Sequence, residues 1–409
     1  MPKLFLDCDY LGQFELSRDH ISIPDKVFYD LDATIRKHII YNNAELEDYL
    51  IAQTEFLSTF STAKAEEVNA LSADEAKKIL GNLLGFAKDD TAAIVPRTKE
   101  LDVQEYANIV RGFRMVCESG LSAKDLTIDK LKELHLVLTD NLDKLSHGVG
   151  GAGPEYNAGE LRGGDVWIGG LYTPAKHVNI EKELKAAIKY YQNNQTIADT
   201  IIFSLALYAI HPFNNGNKRV CRIIEHGLLR GLGINKENMY SHITETYYNL
   251  DRYKDTLKAS LGRKVLNSFV NFQLESLYWA QMHTLRAAVE FSRQKRMDGF
   301  LQDNKRKHLP ELLGSFITAK ALQYTGIKQI LNGLNDKILS SLLNLCVEKG
   351  ILLKQVRGKE SYYSLELQSP LEIDLIHFYE ANAGSLAYIP ELFLRSIVRN
   401  ADIFREKKD

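Results

Sequence analysis

The stretch AIHPFNNGNKRVCR, residues 209–222, places a histidine, a glycine turn and several cations between two apolar segments. Gly216 allows a positive φ, so the turn can aim consecutive backbone N–H groups at one point. The helix expected from about Lys218 carries a partial positive charge at its N-terminus, where the first amides lack intrahelical partners. Together these features predict an anion-binding cradle that suits phosphates.

Charged side chains beside this cradle predict what could be done to a bound phosphate. Arg219 and Arg222 are three residues apart, so they share a helix face and can grip neighbouring phosphate groups. His211 lies just upstream, where an imidazole can accept a proton at neutral pH. A base, an anion cradle and two arginines indicate transfer of a phosphate-containing group.

Helices are expected to position these residues. Helical patterns are predicted over 44–60, 72–88, 97–118, 127–139, 180–191 and 198–210, and again from about 218 to 296. In the first of these, apolar residues that include Tyr49 and Phe56 predict one apolar stripe. Thr127 is expected to cap the fourth. The glycine-rich stretch 148–174 contains a β-like run at 165–168, which predicts a long loop with a small hairpin.

The C-terminal part has a different pattern. Short helices are followed by a helix predicted over 335–348, for which Gly350 is the expected C-cap. Two short strands then meet at the basic turn 357–359. Helix, turn, helix and hairpin follow one another in the order that is typical of a winged helix.

Composition limits the class of protein. The length of 409 residues predicts two or three domains, and 45% hydrophobic and 25% charged residues are typical of a globular chain. A net charge of -2 gives no bulk electrostatic reason for nucleic-acid binding, although a local basic patch is compatible with it. The four cysteines lie far apart, and neither a secretory signal nor a long apolar run is present. We therefore expect a cytoplasmic protein with free thiols and no membrane partner.

Residues 211–222 resemble the signature of the Fic (Fido) family, H-P-F-x-[DE]-G-N-[GK]-R-x-x-R, except that Asn215 replaces the acid. The segment GELRGGDVWIGGLYTP resembles the part of the family that contains the flap hairpin, and LKELHLVLT resembles the helix that opens the domain. The resemblance implies a mainly α fold, a Fic helical bundle core with a small β-hairpin flap, here joined to a C-terminal winged-helix (α+β) domain. The predicted division is an N-terminal helical region 1–95, a Fic domain 96–265, a connecting helix 266–300, a winged-helix-like domain 301–375 and a helical tail 376–409.

Fic proteins typically transfer AMP from the co-substrate ATP to a Ser, Thr or Tyr hydroxyl of a target protein. By position, the resemblance implies that His211 is the general base and that Phe213 anchors the loop. The implied phosphate-binding residues are Gly216, Asn217, Lys218, Arg219 and Arg222. The implied flap, which would clamp an extended target segment by strand addition, contains Gly164, Asp165, Val166, Trp167, Ile168 and Gly169.

A helix before the domain resembles the inhibitory motif [ST]-x-x-x-E-[GN] of many Fic proteins. Thr62 and Glu66 match it, whereas Glu67 stands where Gly or Asn is usual. The resemblance implies that Glu66 pairs with Arg222 and blocks the productive position of the γ-phosphate. Breaking such a buried pair costs about 3–5 kcal/mol, so it could hold a resting state firmly.

Asn215 leaves three interpretations open, because the acid it replaces is the Mg²⁺ anchor of the family and an amide oxygen is a weaker ligand. The chain could transfer AMP slowly with Mg²⁺ held mainly by the nucleotide. It could transfer another group, since Lys218 is shared with the phosphoryl-transferring Doc branch, although Arg222 favours AMP. It could also be a nucleotide-binding pseudoenzyme.

A regulator is the competing class, in which a nucleotide-sensing Fic-like domain is joined to a winged helix that binds DNA or protein. The candidate recognition helix offers Lys337 and Lys349, and the wing KQVRGKES is more basic. A homo-oligomer is compatible with either class. Tyr247, Tyr248 and Tyr253 follow the signature, where one of them could line an adenine pocket or belong to the core.

Overall fold

The computed structural model describes residues 1–40, 43–65, 69–83, 99–118, 120–147, 155–169, 172–318, 321–332, 334–365, 370–390 and 393. In this part of the chain the structure is mainly helical, as predicted. Contacts divide the chain into two compact units. The first consists of Met1–Asp32 and Glu47–Gln281, and the second of Ala33–Leu46 and Met282–Asp409.

The N-terminal two thirds of the described chain contain eleven helices. They are α1 (Asp25–His38), α2 (Ala44–Lys64), α3 (Ala73–Leu83), α4 (Glu100–Glu118), α5 (Ile128–Thr139), α6 (Leu142–His147), α7 (Ile180–Asn193), α8 (Ile197–Ile210), α9 (Asn217–Gly231), α10 (His242–Tyr248) and α11 (Leu250–Arg263). The helices predicted here are confirmed with small shifts of their ends, apart from 84–88 and 97–98, which lie outside the described residues. Thr127 caps α5 as predicted, because its side chain accepts the Lys130 N–H.

The central helix of the first unit is α8, whose fourteen residues are all buried. A helix that is apolar on every side must be surrounded by protein, and α7 and α9 pack against it. Its one carboxylate, Asp199, is neutralised by an ion pair with Arg18 and accepts a hydrogen bond from Tyr190 Oη at 2.5 Å. This packing fixes the helix end from which His211 projects.

Close contact between backbones positions α9, the helix that begins in the signature. A Cβ added at Gly231 would lie 2.2 Å from the Leu121 carbonyl oxygen, and one at Gly227 would lie 2.9 Å from Val116 Cβ. Since no larger residue fits there, the C-terminal half of α9 is fixed against the end of α4 and the segment that follows it.

The apolar stripe predicted for α2 is only partly observed. Tyr49 is 56% exposed and Phe56 is half-buried, whereas the buried residues of the second half are small and, apart from Ala63, hydroxylated. The hydroxylated ones are Thr54, Ser58, Thr59, Ser61 and Thr62. Small side chains allow close packing, and a hydroxyl in a helix can bond the preceding turn, as Thr59 does to the Glu55 carbonyl at 2.8 Å.

The C-terminal part contains helices and a small β-sheet that pack around a core of their own. Its elements are α12 (Asn267–Asp303), α13 (Leu309–Thr318), β1 (Ala321–Gln323), α14 (Tyr324–Ile330), α15 (Asp336–Glu348), β2 (Leu352–Arg357), β3 (Glu360–Leu365) and α16 (Pro370–Asn382). The strands pair antiparallel in the order β1-β3-β2, with Arg357 opposite Glu360 across the predicted basic turn. Phe316, Leu343 and Tyr363 are among the buried residues that join them.

The elements of this part appear in the predicted order. The C-cap of α15 is Lys349 rather than the expected Gly350, which follows it with φ +63° in the left-handed position that glycine commonly takes after a C-cap. The assignment of these elements as a winged helix stays a prediction, and most of the predicted tail 376–409 lies outside the described residues. The four cysteines form no disulfide within the described part of the chain. Across the described ranges, none of the helices combines the length and apolar character needed to cross a membrane.

Candidate functional site

Two left-handed residues bracket the signature loop. α8 ends at Ile210, and His211 is its C-cap with φ +55° and ψ 61°, its N–H donating to the Leu207 carbonyl at 3.0 Å. Gly216, with φ +77°, is the N-cap of α9. The left-handed conformation costs a residue other than glycine about 1–2 kcal/mol, so surrounding contacts must hold His211 there.

Phe213 and Asn217 close the loop from inside. Phe213, the expected anchor, is fully buried, and its ring stacks on that of His135 with centroids 3.9 Å apart. Asn217 Oδ1 accepts the Phe213 N–H at 2.9 Å, and Asn217 Nδ2 donates to the Phe213 carbonyl at 2.8 Å. Because the Asn217 side chain is used in this way, its expected contact with phosphate falls to its backbone N–H.

His135 joins the signature loop to the segment before the flap. Its Nδ1 accepts the Gly159 N–H at 3.0 Å, so Nε2 carries the proton and donates to the Asn215 carbonyl at 2.9 Å. Burial lowers the pKa of His135 to about 4, which keeps the ring neutral. No sequence motif indicates this role, and its one signal is the position of His135 on the buried face of α5.

Arg162 holds the backbone around His211. Its side chain is fully buried, and the guanidinium donates to four carbonyls on three segments. They are those of His211 (2.7 Å), Gly164 (2.6 Å), Ile210 (3.3 Å) and Ala175. The Arg162 N–H also donates to the Pro212 carbonyl at 2.9 Å. Burial lowers the pKa of Arg162, and its charge lies at the negative end of α8.

The first signature arginine is buried beside an acid that sequence analysis did not identify. Arg219 Nη1 lies 2.9 Å from Glu105 Oε1 of α4, and the guanidinium lies over the Tyr156 ring at 5.7 Å. The pair is close but poorly directed, since Arg219 Nε and Nη1 have no hydrogen-bond partner among the described residues. Glu105 Oε2 accepts from Asn69 Nδ2 at 2.9 Å, which connects Arg219 to the chain just beyond the predicted inhibitory motif.

The second signature arginine contacts the motif itself. Arg222 is buried, its Nη1 lies 3.4 Å from the Thr62 carbonyl, and its guanidinium lies 5.8 Å from the ring centroid of Tyr253. Glu66 and Glu67 lie outside the described residues, so the predicted pair between Glu66 and Arg222 stays a prediction. Of the three tyrosines considered for an adenine pocket, Tyr253 is buried and Tyr248 is 67% exposed.

The N-terminus of α9 has the character of an anion cradle. Its N-cap is Gly216, which has no side chain that could accept from the first amides, and Lys218 is half-buried in its first turn. The first amides of a helix have no intrahelical acceptor. Backbone donors and the donors of Arg219 thus belong to the same short helix segment.

The expected flap is an exposed segment with little regular structure. A single antiparallel bridge joins Ile168 to Tyr172, and residues 170–171 lie outside the described part. Trp167 is 70% exposed. Asp165 accepts hydrogen bonds from the His177 N–H at 2.7 Å and from His177 Nδ1 at 2.9 Å, which lower the pKa of Asp165.

The donors at position 215 do not fit a metal site held by the protein. Asn215 Nδ2 donates to the Glu155 carbonyl at 3.2 Å, which leaves one neutral amide oxygen as a ligand. The described residues contain no group of three or more His, Cys, Asp or Glu side chains that could hold a metal ion. Any Mg²⁺ here would take its anionic ligands from the nucleotide.

One comparison with known proteins matches the part of the chain that carries this site. Residues 125–229, which include α5 to most of α9, match the profile of the Fic/DOC family. No curated protein matches the chain.

Three similar solved structures are a Fic family protein from Desulfovibrio desulfuricans G20, Fic-1 from C. elegans and a Fic domain containing signaling protein from Bacteroides thetaiotaomicron. The first is 17% identical with a TM-score of 0.47, and 85% of this chain aligns with 98% of that one. The second is 17% identical with a TM-score of 0.48 over 64% of this chain and 72% of that one. The third is 16% identical with a TM-score of 0.47 over 64% and 97%.

The profile match spans the loop, the cradle and both arginines described above, and it identifies the domain that carries them as a member of the Fic/DOC family.

Proposed function

We propose that this chain transfers AMP from ATP to a Ser, Thr or Tyr hydroxyl of a target protein. The observation that carries the proposal is the buried Arg219, which lies in the first turn of α9. Its Nε and Nη1 make no directed hydrogen bond with the described residues, although Glu105 lies close to Nη1. A buried donor without an acceptor costs about 1–3 kcal/mol. An anionic phosphate would remove that cost, and the family match supports a protein as the other substrate.

In the proposed reaction, His211 takes the proton of the target hydroxyl. The hydroxyl oxygen then attacks the α-phosphorus of ATP, the bond from that phosphorus to the bridging oxygen breaks, and pyrophosphate leaves. The product is a phosphodiester between AMP and the target, and the proton remains on His211 until solvent removes it. The α9 amides, Arg219 and Arg222 would stabilise the charge of the leaving pyrophosphate.

The flap would present the target to this centre. Between Gly163 and Gly169 the described backbone makes one β-bridge, and the Gly164 carbonyl accepts from Arg162. The remaining N–H and C=O groups of this segment can pair with an added strand. Trp167 is exposed beside them and offers an apolar contact for a side chain of that strand. Backbone pairing of this kind selects an extended segment rather than a particular sequence.

We further propose that the segment around Thr62 and Glu66 inhibits the resting protein. Two contacts support this regulation. Arg222 lies beside the Thr62 carbonyl, and Arg219 is paired with Glu105, which Asn69 contacts from the other side of the motif. Each arginine thus lies against an oxygen on or near this segment, a carbonyl for Arg222 and a carboxylate for Arg219, and these oxygens would compete with phosphate for the guanidinium groups.

Parallel incubation with α-labelled and γ-labelled ATP tests the proposal, with wild type and Glu66→Gly compared. We expect label from the α-phosphate only, with more incorporation in Glu66→Gly because the γ-phosphate position is released. Label from the γ-phosphate would indicate phosphoryl transfer. Label from neither, with nucleotide binding retained in calorimetry, would indicate a pseudoenzyme.

A regulator is the second candidate, supported by one feature of the C-terminal part. The outer face of α15 lines a polar groove that includes Arg306, Lys337, Ser341 and Asn344, and these side chains could contact a nucleic-acid backbone. Glu348 lies in the same groove and opposes such binding. A DNA-binding assay at two salt concentrations tests whether this groove binds DNA, because binding through phosphate contacts weakens as the salt concentration rises. No binding at low salt excludes this candidate.

A further inference from the structure

Tyr172 contacts both the end of α8 and the imidazole of His211. Its hydroxyl lies 2.6 Å from the Tyr208 carbonyl oxygen and 3.3 Å from His211 Nδ1. The Tyr208 carbonyl would ordinarily accept the N–H of the residue four positions later, which here is Pro212 and has none. The proline of the signature thus leaves this carbonyl to accept from Tyr172.

The direction of these two hydrogen bonds follows from the number of protons. A phenol has one hydrogen, and a carbonyl oxygen can only accept, so the Tyr172 hydrogen is used by Tyr208. The hydroxyl oxygen can then only accept from His211 Nδ1, which must carry a proton. Tyr172 is buried, and burial raises the pKa of its phenol far above the physiological range, so the hydroxyl keeps its hydrogen.

We propose that Tyr172 is a positioning residue that sets the tautomer of His211, keeping the proton on Nδ1 and leaving Nε2 able to accept one. Its catalytic consequence rests on the transfer reaction proposed above, whereas the tautomer itself does not. A base must present its unprotonated nitrogen to the hydroxyl, and a ring in the other tautomer cannot react.

A phenol suits this position better than a carboxylate would. A carboxylate would also orient the ring, but its negative charge would oppose the phosphates that the α9 cradle is expected to bind. The phenol donates its one hydrogen bond to the Tyr208 carbonyl and adds no charge. Arg162 complements it by holding the backbone of the same residue through the His211 carbonyl.

The test compares wild type with Tyr172→Phe, which keeps the ring and removes the hydroxyl. Long-range ¹H–¹⁵N spectra of histidine-labelled protein without nucleotide, with His211 assigned from a His211→Ala sample, report which nitrogen is protonated. We expect Nδ1 protonated in wild type and a shift toward Nε2 protonation in Tyr172→Phe. Tyr191→Phe is the matched control, since Tyr191 is a buried tyrosine on α7 whose hydroxyl contacts Thr200 rather than His211, and it should leave the tautomer unchanged.

Kinetics supply the second readout. If the chain transfers AMP, Tyr172→Phe should lower kcat about tenfold or more with little change in KM for ATP, because general-base catalysis contributes roughly 10²–10⁴-fold. A wild-type ring protonated on Nε2 would overturn the proposal even if Tyr172→Phe failed to fold. An unchanged tautomer in folded Tyr172→Phe would also overturn it. Because the spectra need no turnover, failure of AMP transfer would leave this test intact.

Discussion

The sharpest prediction concerns Arg162, whose hydrogen bonds hold the backbone of His211, the proposed base. Arg162→Lys keeps the positive charge, but an ammonium has three donors at one point, whereas the guanidinium reaches four carbonyls on three segments. At least one buried carbonyl then loses its partner, which costs about 1–3 kcal/mol. Arg162→Met removes all four donors, and we expect a larger loss of about 3–5 kcal/mol, as for a broken buried charge network.

Arg162→Met should also lower activity, and by more than its loss of stability alone explains. The left-handed conformation of His211 costs about 1–2 kcal/mol, and the Arg162 bond to its carbonyl opposes relaxation. A loss of about 1.4 kcal/mol in positioning corresponds to roughly a tenfold lower rate.

The assay is urea unfolding together with α-labelled ATP incorporation, each measured below the unfolding transition in a Glu66→Gly background. Arg18→Lys is the control, because Arg18 bonds Tyr190 Oη and pairs with Asp199 away from the signature loop. We expect it to lower stability while sparing incorporation. If Arg162→Met unfolds at the wild-type urea concentration and labels at the wild-type rate, Arg162 does not hold the backbone around His211 in the way described.

Three further predictions concern the arginines, the metal and pH. Glu105→Gln should tighten ATP binding several-fold in calorimetry, because it removes a negative charge 2.9 Å from Arg219; weaker binding would mean that Glu105 orients the arginine instead. Asn215→Asp should make ATP binding and transfer more dependent on Mg²⁺, since it restores a carboxylate ligand, and an unchanged Mg²⁺ titration would contradict this. Burial lowers the pKa of His135 to about 4 from 6.5, so the unfolded chain binds the extra proton first and stability is lost as pH falls from 6.5 toward 4. His135→Gln should remove about 2 kcal/mol of that loss between pH 6.5 and 5 in urea titrations, and an equally steep pH dependence would refute the assignment.

Local patterns predicted the elements that carry the site. The apolar run that became α8, the glycine turn, and the start of α9 one residue before the expected Lys218 all depend on interactions between residues near in sequence. The same holds for the strands that meet at 357–359 in the C-terminal part.

The contacts that hold the site depend on distant residues and could not be predicted in this way. Glu105 and Arg219 are far apart in the chain, and nothing in their spacing indicates that α4 places an acid beside the signature. Arg162 belongs to the segment that resembles the flap region, but its burial among backbone carbonyls is seen only in the folded chain. The buried hydroxyl face of α2 was missed because the prediction followed apolar residues alone.

Intact-protein mass spectrometry is the decisive test of AMP transfer by His211, using the Glu66→Gly chain and its Glu66→Gly/His211→Ala counterpart after incubation with ATP and Mg²⁺. We expect a mass increase of one AMP on the protein or on an added target in the first sample only. Equal modification in both samples, or addition of a phosphoryl group in place of AMP, would contradict it.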